Sequence, residues 1–186
     1  MPRIFLYSLM LLFAGTLSAQ NLVKCTDGSS FWIMKGKGKK FAVQLRGDLA
    51  ESDVPELLNV EETALHYNIL NKSEYVKTGG KSDAAVLTKF IKKEGKFLGD
   101  AMKPEYQLKK LPSGKTFLLW HHDWKGTDEY VEQQVHATII LDGMIIWLSS
   151  PKFTGQEISK VEVFLTETIA NVKSVKSTNA KELCEK

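Results

Sequence analysis

Cysteine is scarce in this chain of 186 residues: there are only two, Cys25 and Cys184. Neither belongs to a CxxC pair, so thiol redox catalysis and a cysteine-clustered metal site are disfavoured. An excess of one charge is also missing. With Arg3 set aside, 24 basic residues face 22 acidic ones, a balance that does not argue for nucleic acid. Catalytic signatures are absent too. There is no HExxH pair for zinc and no GxSxG elbow around Ser149 or Ser150. The chain also lacks internal repeats and low-complexity linkers. Its one apolar run, Ile4 to Ala14, falls short of the roughly 20 residues that a membrane span needs.

What is present begins with that run. Arg3 precedes it, and Leu17-Ser18-Ala19 follow before Gln20. This is the charge, apolar core and small-residue order of a secretory signal peptide over residues 1–19, with an uncleaved anchor as the alternative. The expectation is a secreted or periplasmic protein with no stable membrane span after cleavage. Residues 20–186 then make one globular domain by length. In an oxidising compartment Cys25 and Cys184 are expected to pair as a disulfide joining the two ends.

Hydropathy periods order the rest. "SFWIM", "KGKGKK" and "FAVQLRG" read as strand, turn and strand. The lysines are either an anionic-surface patch or a solvated turn. "VPELLN" suggests a helical turn and "ALHYNILNKSEYV" a strand, with Asn71-Lys72-Ser73 matching a glycosylation sequon. A helix is predicted after an N-cap at Ser82, with Val86, Leu87, Phe90, Ile91, Phe97, Leu98 and Met102 on its apolar face; Pro104 stops it. Strands follow at "YQLKKL", "KTFLLWHHDW" and "YVEQQVHATIIL". Asp142-Gly143 demands a two-residue hairpin turn. A last helix is predicted from a Thr154/Glu157 capping box, burying Ile158, Val161, Leu165, Ile169 and Val172. "KSTNAKELCEK" reads as a polar tail. The fold class is α+β: an antiparallel sheet with hairpins, covered by two main helices.

"FLLWHHDW" carries the densest chemistry. Side chains alternate along a strand, so His121 and His122 face opposite ways. His121 shares a face with Phe117, Leu119 and Asp123; His122 shares the other with Leu118, Trp120 and Trp124. The hairpin at Asp142 pairs Leu141 with Met144, Ile139 with Ile146 and Ala137 with Leu148, and directs His136 to the face of Trp147. Which preceding histidine His136 meets depends on the register across "DWKGTDEY", which stays open.

Two functional readings follow. Trp120, His122, Trp124, His136 and Trp147 form a ligand-binding face for a protein or glycan partner, unless the tryptophans pack under a helix. Alternatively, His121, Asp123 and His136 hold a metal for assisted hydrolysis. The first implies no cofactor and an exported, non-enzymatic binding or accessory module.

The helix "SDAAVLTKFIKKEGKFLGDAM", the hairpin "ATIILDGMIIWLSS" and the closing helix "TGQEISKVEVFLTETIANVK" together resemble the PsbP-type α/β/α sandwich over about the last hundred residues. The resemblance implies a non-enzymatic accessory or binding domain, often exported. It transfers no functional residues.

Overall fold

The computed structural model describes residues 22–54, 56–76, 82–99 and 103–185. The expected signal segment, and Met102, lie outside the described residues. The fold is α+β, with every strand pairing antiparallel. A small sheet runs in the order β1-β2-β3-β11: Leu22–Lys24, Ser30–Gly36, Lys39–Leu45 and Val172–Ser174. A seven-stranded sheet runs β4-β5-β6-β10-β9-β8-β7. Its strands are β4 Leu49–Glu51, β5 Leu57–Val60, β6 Thr63–Asn71, β7 Glu105–Lys110, β8 Thr116–Asp123, β9 Val131–Leu141 and β10 Met144–Phe153.

The main core lies between the sheets. Trp32, Met34, Phe41 and Val43 of the small sheet meet Leu65, Tyr67, Ala137, Ile139, Ile146 and Leu148 of the large one. Trp32 packs edge-on against Tyr67 with ring centroids 5.0 Å apart, and the Lys35 N–H donates to Tyr67 Oη at 3.2 Å. Helix α2, Ile158–Ala170, closes this core with Val161, Leu165 and Ile169. Helix α1, Asp83–Leu98, covers the opposite face of the large sheet, where Val86, Leu87, Phe90 and Ile91 bury against Leu118, Trp120, Ile140 and Ile145. On the outer face of the small sheet, Phe31, Ile33 and Ala42 pack under Leu183 of the short helix α3, Ala180–Cys184. This explains the unbroken run in β2: both of its faces are buried, so apolar residues do not alternate.

Cys25 and Cys184 form a disulfide with Cα atoms 5.6 Å apart, closing a separation of 159 residues. It sits in the outer cluster beside Val23 and Val175. The expected hairpins form as read. Lys37-Gly38 and Asp142-Gly143 both adopt positive φ at both positions, the requirement of a type I′ turn. The expected pairs Leu141–Met144, Ile139–Ile146 and Ala137–Leu148 are all present.

Five local readings need correction. "VPELLN" contributes strand β5, because Leu58 and Val60 point into the core while Leu57 pairs with His66. Phe97 lies outside the buried face of α1 and is 80% exposed. The last helix starts at Ile158 and not after Thr154. Thr154 bonds the Tyr130 carbonyl through both its N–H and its hydroxyl, so it closes the end of β10 instead of capping. Val172 leaves the helix and pairs with Val43, and the polar tail folds into α3.

Candidate helix-side site

One cross-strand row organises the helix side of the large sheet. Successive register partners are Leu57, His66, Ser149, His136, Trp120 and Tyr106, one from each of six adjacent strands. Partners in an antiparallel ladder share a face, so a histidine from β6 and one from β9 lie on the same side as Trp120. The next row pairs His122 with Gln134 and Gln134 with Pro151. The register left open by the sequence is therefore resolved: His122, and not His121, shares the face of His136.

The rings pack closely. Trp120 stacks on His136 at 3.8 Å between centroids, and His122 stacks on His136 at 5.2 Å. Phe90 of α1 meets both Trp120 and Trp147 edge-on, at 6.3 and 5.6 Å. Trp120 Nε1 donates to Thr138 Oγ1 at 3.2 Å, and Trp147 Nε1 donates to His136 Nδ1 at 2.9 Å. Since Nδ1 of His136 accepts, the neutral ring carries its proton on Nε2. That Nε2 is buried and has no partner among the described residues. Burial, and secondarily the nearby His122, His121 and His66, hold His136 well below the ordinary imidazole range. Burial also lowers His66, against the opposing charge of Glu56.

These bonds limit the chemistry. Ser149 neighbours His136 in register, but His136 has no lone pair to take its proton: Nδ1 is engaged by Trp147 and Nε2 already holds a hydrogen. His136 is therefore not the base of a serine–histidine nucleophile with Ser149.

Trp120 is 1% exposed, so it supports the face from beneath and is not itself a contact surface. Of the two readings open for Trp120, contact face or packing under a helix, the second holds. His122 and His136 are buried as well, while Trp124 and Trp147 are half-buried. Trp124 folds back over its own loop. A Cβ at Gly126 would stand 2.1 Å from the Trp124 ring, so only glycine fits there without displacement. Trp124 Nε1 is a second buried donor without a partner.

The metal trio also needs correction. His121 and Asp123 lie on the sheet face opposite His136, because odd and even positions of β8 diverge. His121 Nε2 is 3.6 Å from Glu105 Oε2, and Asp123 Oδ1 accepts from Gln133 at 3.3 Å. Among the described residues no three histidine, cysteine or acidic side chains gather as metal ligands.

Two features escaped the sequence reading. His66 enters the row through pairing of β6 with β10, where it meets Ser149, more than eighty positions away in the chain, and no local pattern announces it. A pair of clefts around Phe164, on the far side of the molecule's main core, brings together residues from β3, β5, the end of β10 and α2.

No family model matches the chain, and no curated protein matches it. Among solved structures it is similar to cyanobacterial PsbP (CyanoP) from Synechocystis sp. PCC 6803, at 8% identity and a TM-score of 0.47. That likeness covers 78% of this chain and 92% of the other. It is similar at 9% identity and a TM-score of 0.26 to a Bacteroides thetaiotaomicron structure, covering 84% of this chain and about half, 48%, of that one.

Proposed function

We propose that this chain is an exported, non-enzymatic binding or accessory module that engages a protein partner through the helix-side face and open edge of its large sheet. The observation that carries the reading is where the polar-aromatic row ends. Its last member is Tyr106 on β7, 45% exposed, with Leu108 beside it on the same face at 41%. β7 is the terminal strand of the sheet, so its outer backbone edge is open among the described residues. An edge strand with exposed apolar side chains is a template for an added strand, in which main-chain bonds supply affinity and alternate side chains supply selectivity.

Export is supported by the leader-like residues 1–19 and by the Cys25–Cys184 bridge, since disulfides persist in oxidising compartments. In this reading the mature chain begins at Gln20 and residues 20–186 work as one folded unit. No helix among the described residues is long and apolar enough to cross a membrane.

The test is size-exclusion chromatography of the protein released from its native compartment. A complex heavier than the monomer should be lost on Tyr106→Asp or Leu108→Asp and retained on Val54→Asp, an exposed position just before β5, toward the other edge of the sheet. A monomer in every case, or a complex indifferent to β7, contradicts the proposal. N-terminal sequencing of the same material checks cleavage before Gln20.

A further inference from the structure

A second surface, separate from the helix-side row, has the chemistry of a ligand site. Two clefts, of about 340 and 630 Å³, share Val60 and Phe164 on their walls. Phe164 is half-buried on α2, leaving part of its ring as an apolar wall between them. The surroundings are amides and hydroxyls, and two of the amides are each held at one end. Asn171 Nδ2 donates to the Glu167 carbonyl at 3.0 Å, which leaves Oδ1. Gln156 Oε1 accepts from the Phe153 N–H at 3.1 Å, which leaves the Nε2 donors. Both acceptors and donors are thus offered by side chains whose orientation is already paid for in the free protein.

We propose that this double cleft binds a neutral, hydroxyl-rich ligand, a segment of glycan chain. Each sugar hydroxyl both donates and accepts, so it can match the acceptor end of Asn171 and the donor end of Gln156. The apolar C–H face of a sugar ring matches the exposed part of Phe164. Charge argues against a polyanion: Arg46 is outnumbered by Glu61, Glu62 and Glu167 around the two clefts, although the whole chain is basic at +3. Backbone geometry argues against strand addition by a peptide here. β3 is paired on both sides, by β2 and β11, and β5 on both sides, by β4 and β6. Recognition must therefore come from side chains. The two lobes meeting at one aromatic ring suit a ligand longer than one sugar unit.

The experiment is a titration of the full mature protein with a panel of neutral oligosaccharides, read by the side-chain amide signals of Gln156 and Asn171 in 1H–15N NMR. At least one oligosaccharide should shift these signals saturably. Gln156→Ala and Asn171→Ala should each weaken binding about fivefold or more, the size expected for one hydrogen bond lost. Asn171 is exposed and Gln156 half-buried in a loop, so neither change touches the core. Phe164→Leu, which keeps the apolar packing but removes the ring, should weaken it further. No shift at these amides with any oligosaccharide up to about 5 mM, a range beyond even weak specific binding, overturns the proposal. So does a sulfated polysaccharide binding at the same amides as well as the neutral chains do. So does binding that shifts the Trp147 indole signal and leaves the amides unmoved. Failure here leaves the β7 surface unaffected, and failure at β7 leaves this cleft unaffected, because they occupy different faces.

Discussion

Trp147 donates its indole N–H to Nδ1 of His136, 2.9 Å away, across neighbouring strands. That one bond sets the tautomer of a buried histidine, removes its capacity to act as a base, and ties the half-buried Trp147 to the floor of the helix-side face.

Trp147→Phe keeps an aromatic ring, though a smaller one, but removes the donor, leaving His136 Nδ1 buried and unpaired. The cost should be about 1–3 kcal/mol, the usual penalty for an orphaned buried polar atom. Urea denaturation measures it directly. A loss below about 0.5 kcal/mol, the scatter of ordinary surface changes, means that water replaces the indole and that the bond is not structural.

Acid should destabilise the fold through the same histidine. Burial holds His136 well below its ordinary value, so the unfolded chain takes up a proton at higher pH than the folded one. Stability is whole above the unfolded value of about 6.5 and declines as the pH falls below it. His66 is lowered in the same direction. Thermal melts at about pH 8 and about pH 5.5 should show the lower midpoint in acid, and His136→Gln should reduce the difference. A midpoint that rises in acid contradicts the assignment.

Gly126→Ala should disturb the Trp124 loop. The added methyl falls 2.1 Å from the indole, so the ring must leave its place. Overpacking of this kind costs about 1–3 kcal/mol. Trp124 emission should shift to the red as the ring enters water. Unchanged emission would mean that the loop is not packed as described.

Breaking the Cys25–Cys184 bridge, by reduction or by changing both residues to alanine, should cost on the order of 2–5 kcal/mol. The loop it closes spans 159 residues. The outer cluster of Phe31, Ile33, Ala42 and Leu183 should lose hydrogen-exchange protection before the main core does. Uniform loss across both sheets would contradict a local role for the bridge.

Much of the large sheet was legible in the sequence because its signals are local. The Asp142-Gly143 turn sets a register that propagates for several pairs, so the faces of β9 and β10 followed from alternation alone. The alternation of β8 likewise separated His121 from His122. Long-range pairing was not legible. Nothing local says that β6 joins β10, which is how His66 enters the row, or that Val172 pairs with Val43. The Thr154/Glu157 pattern misled because the Tyr130 carbonyl, contributed from another strand's loop, claims the hydroxyl first. Whether Trp120 faced a ligand or packed under a helix stayed open in the sequence, because coverage by Phe90 is a tertiary fact.

The most direct test of the binding reading is site-specific photo-cross-linking in the native compartment, with the reactive residue placed in turn at Tyr106, at Gln134 and at the control Val54, toward the opposite edge of the sheet. The account predicts one and the same partner band from Tyr106 and Gln134, absent from Val54 and lost when Leu108→Asp is added. Equal bands from all three positions, or none from Tyr106 and Gln134, would contradict it.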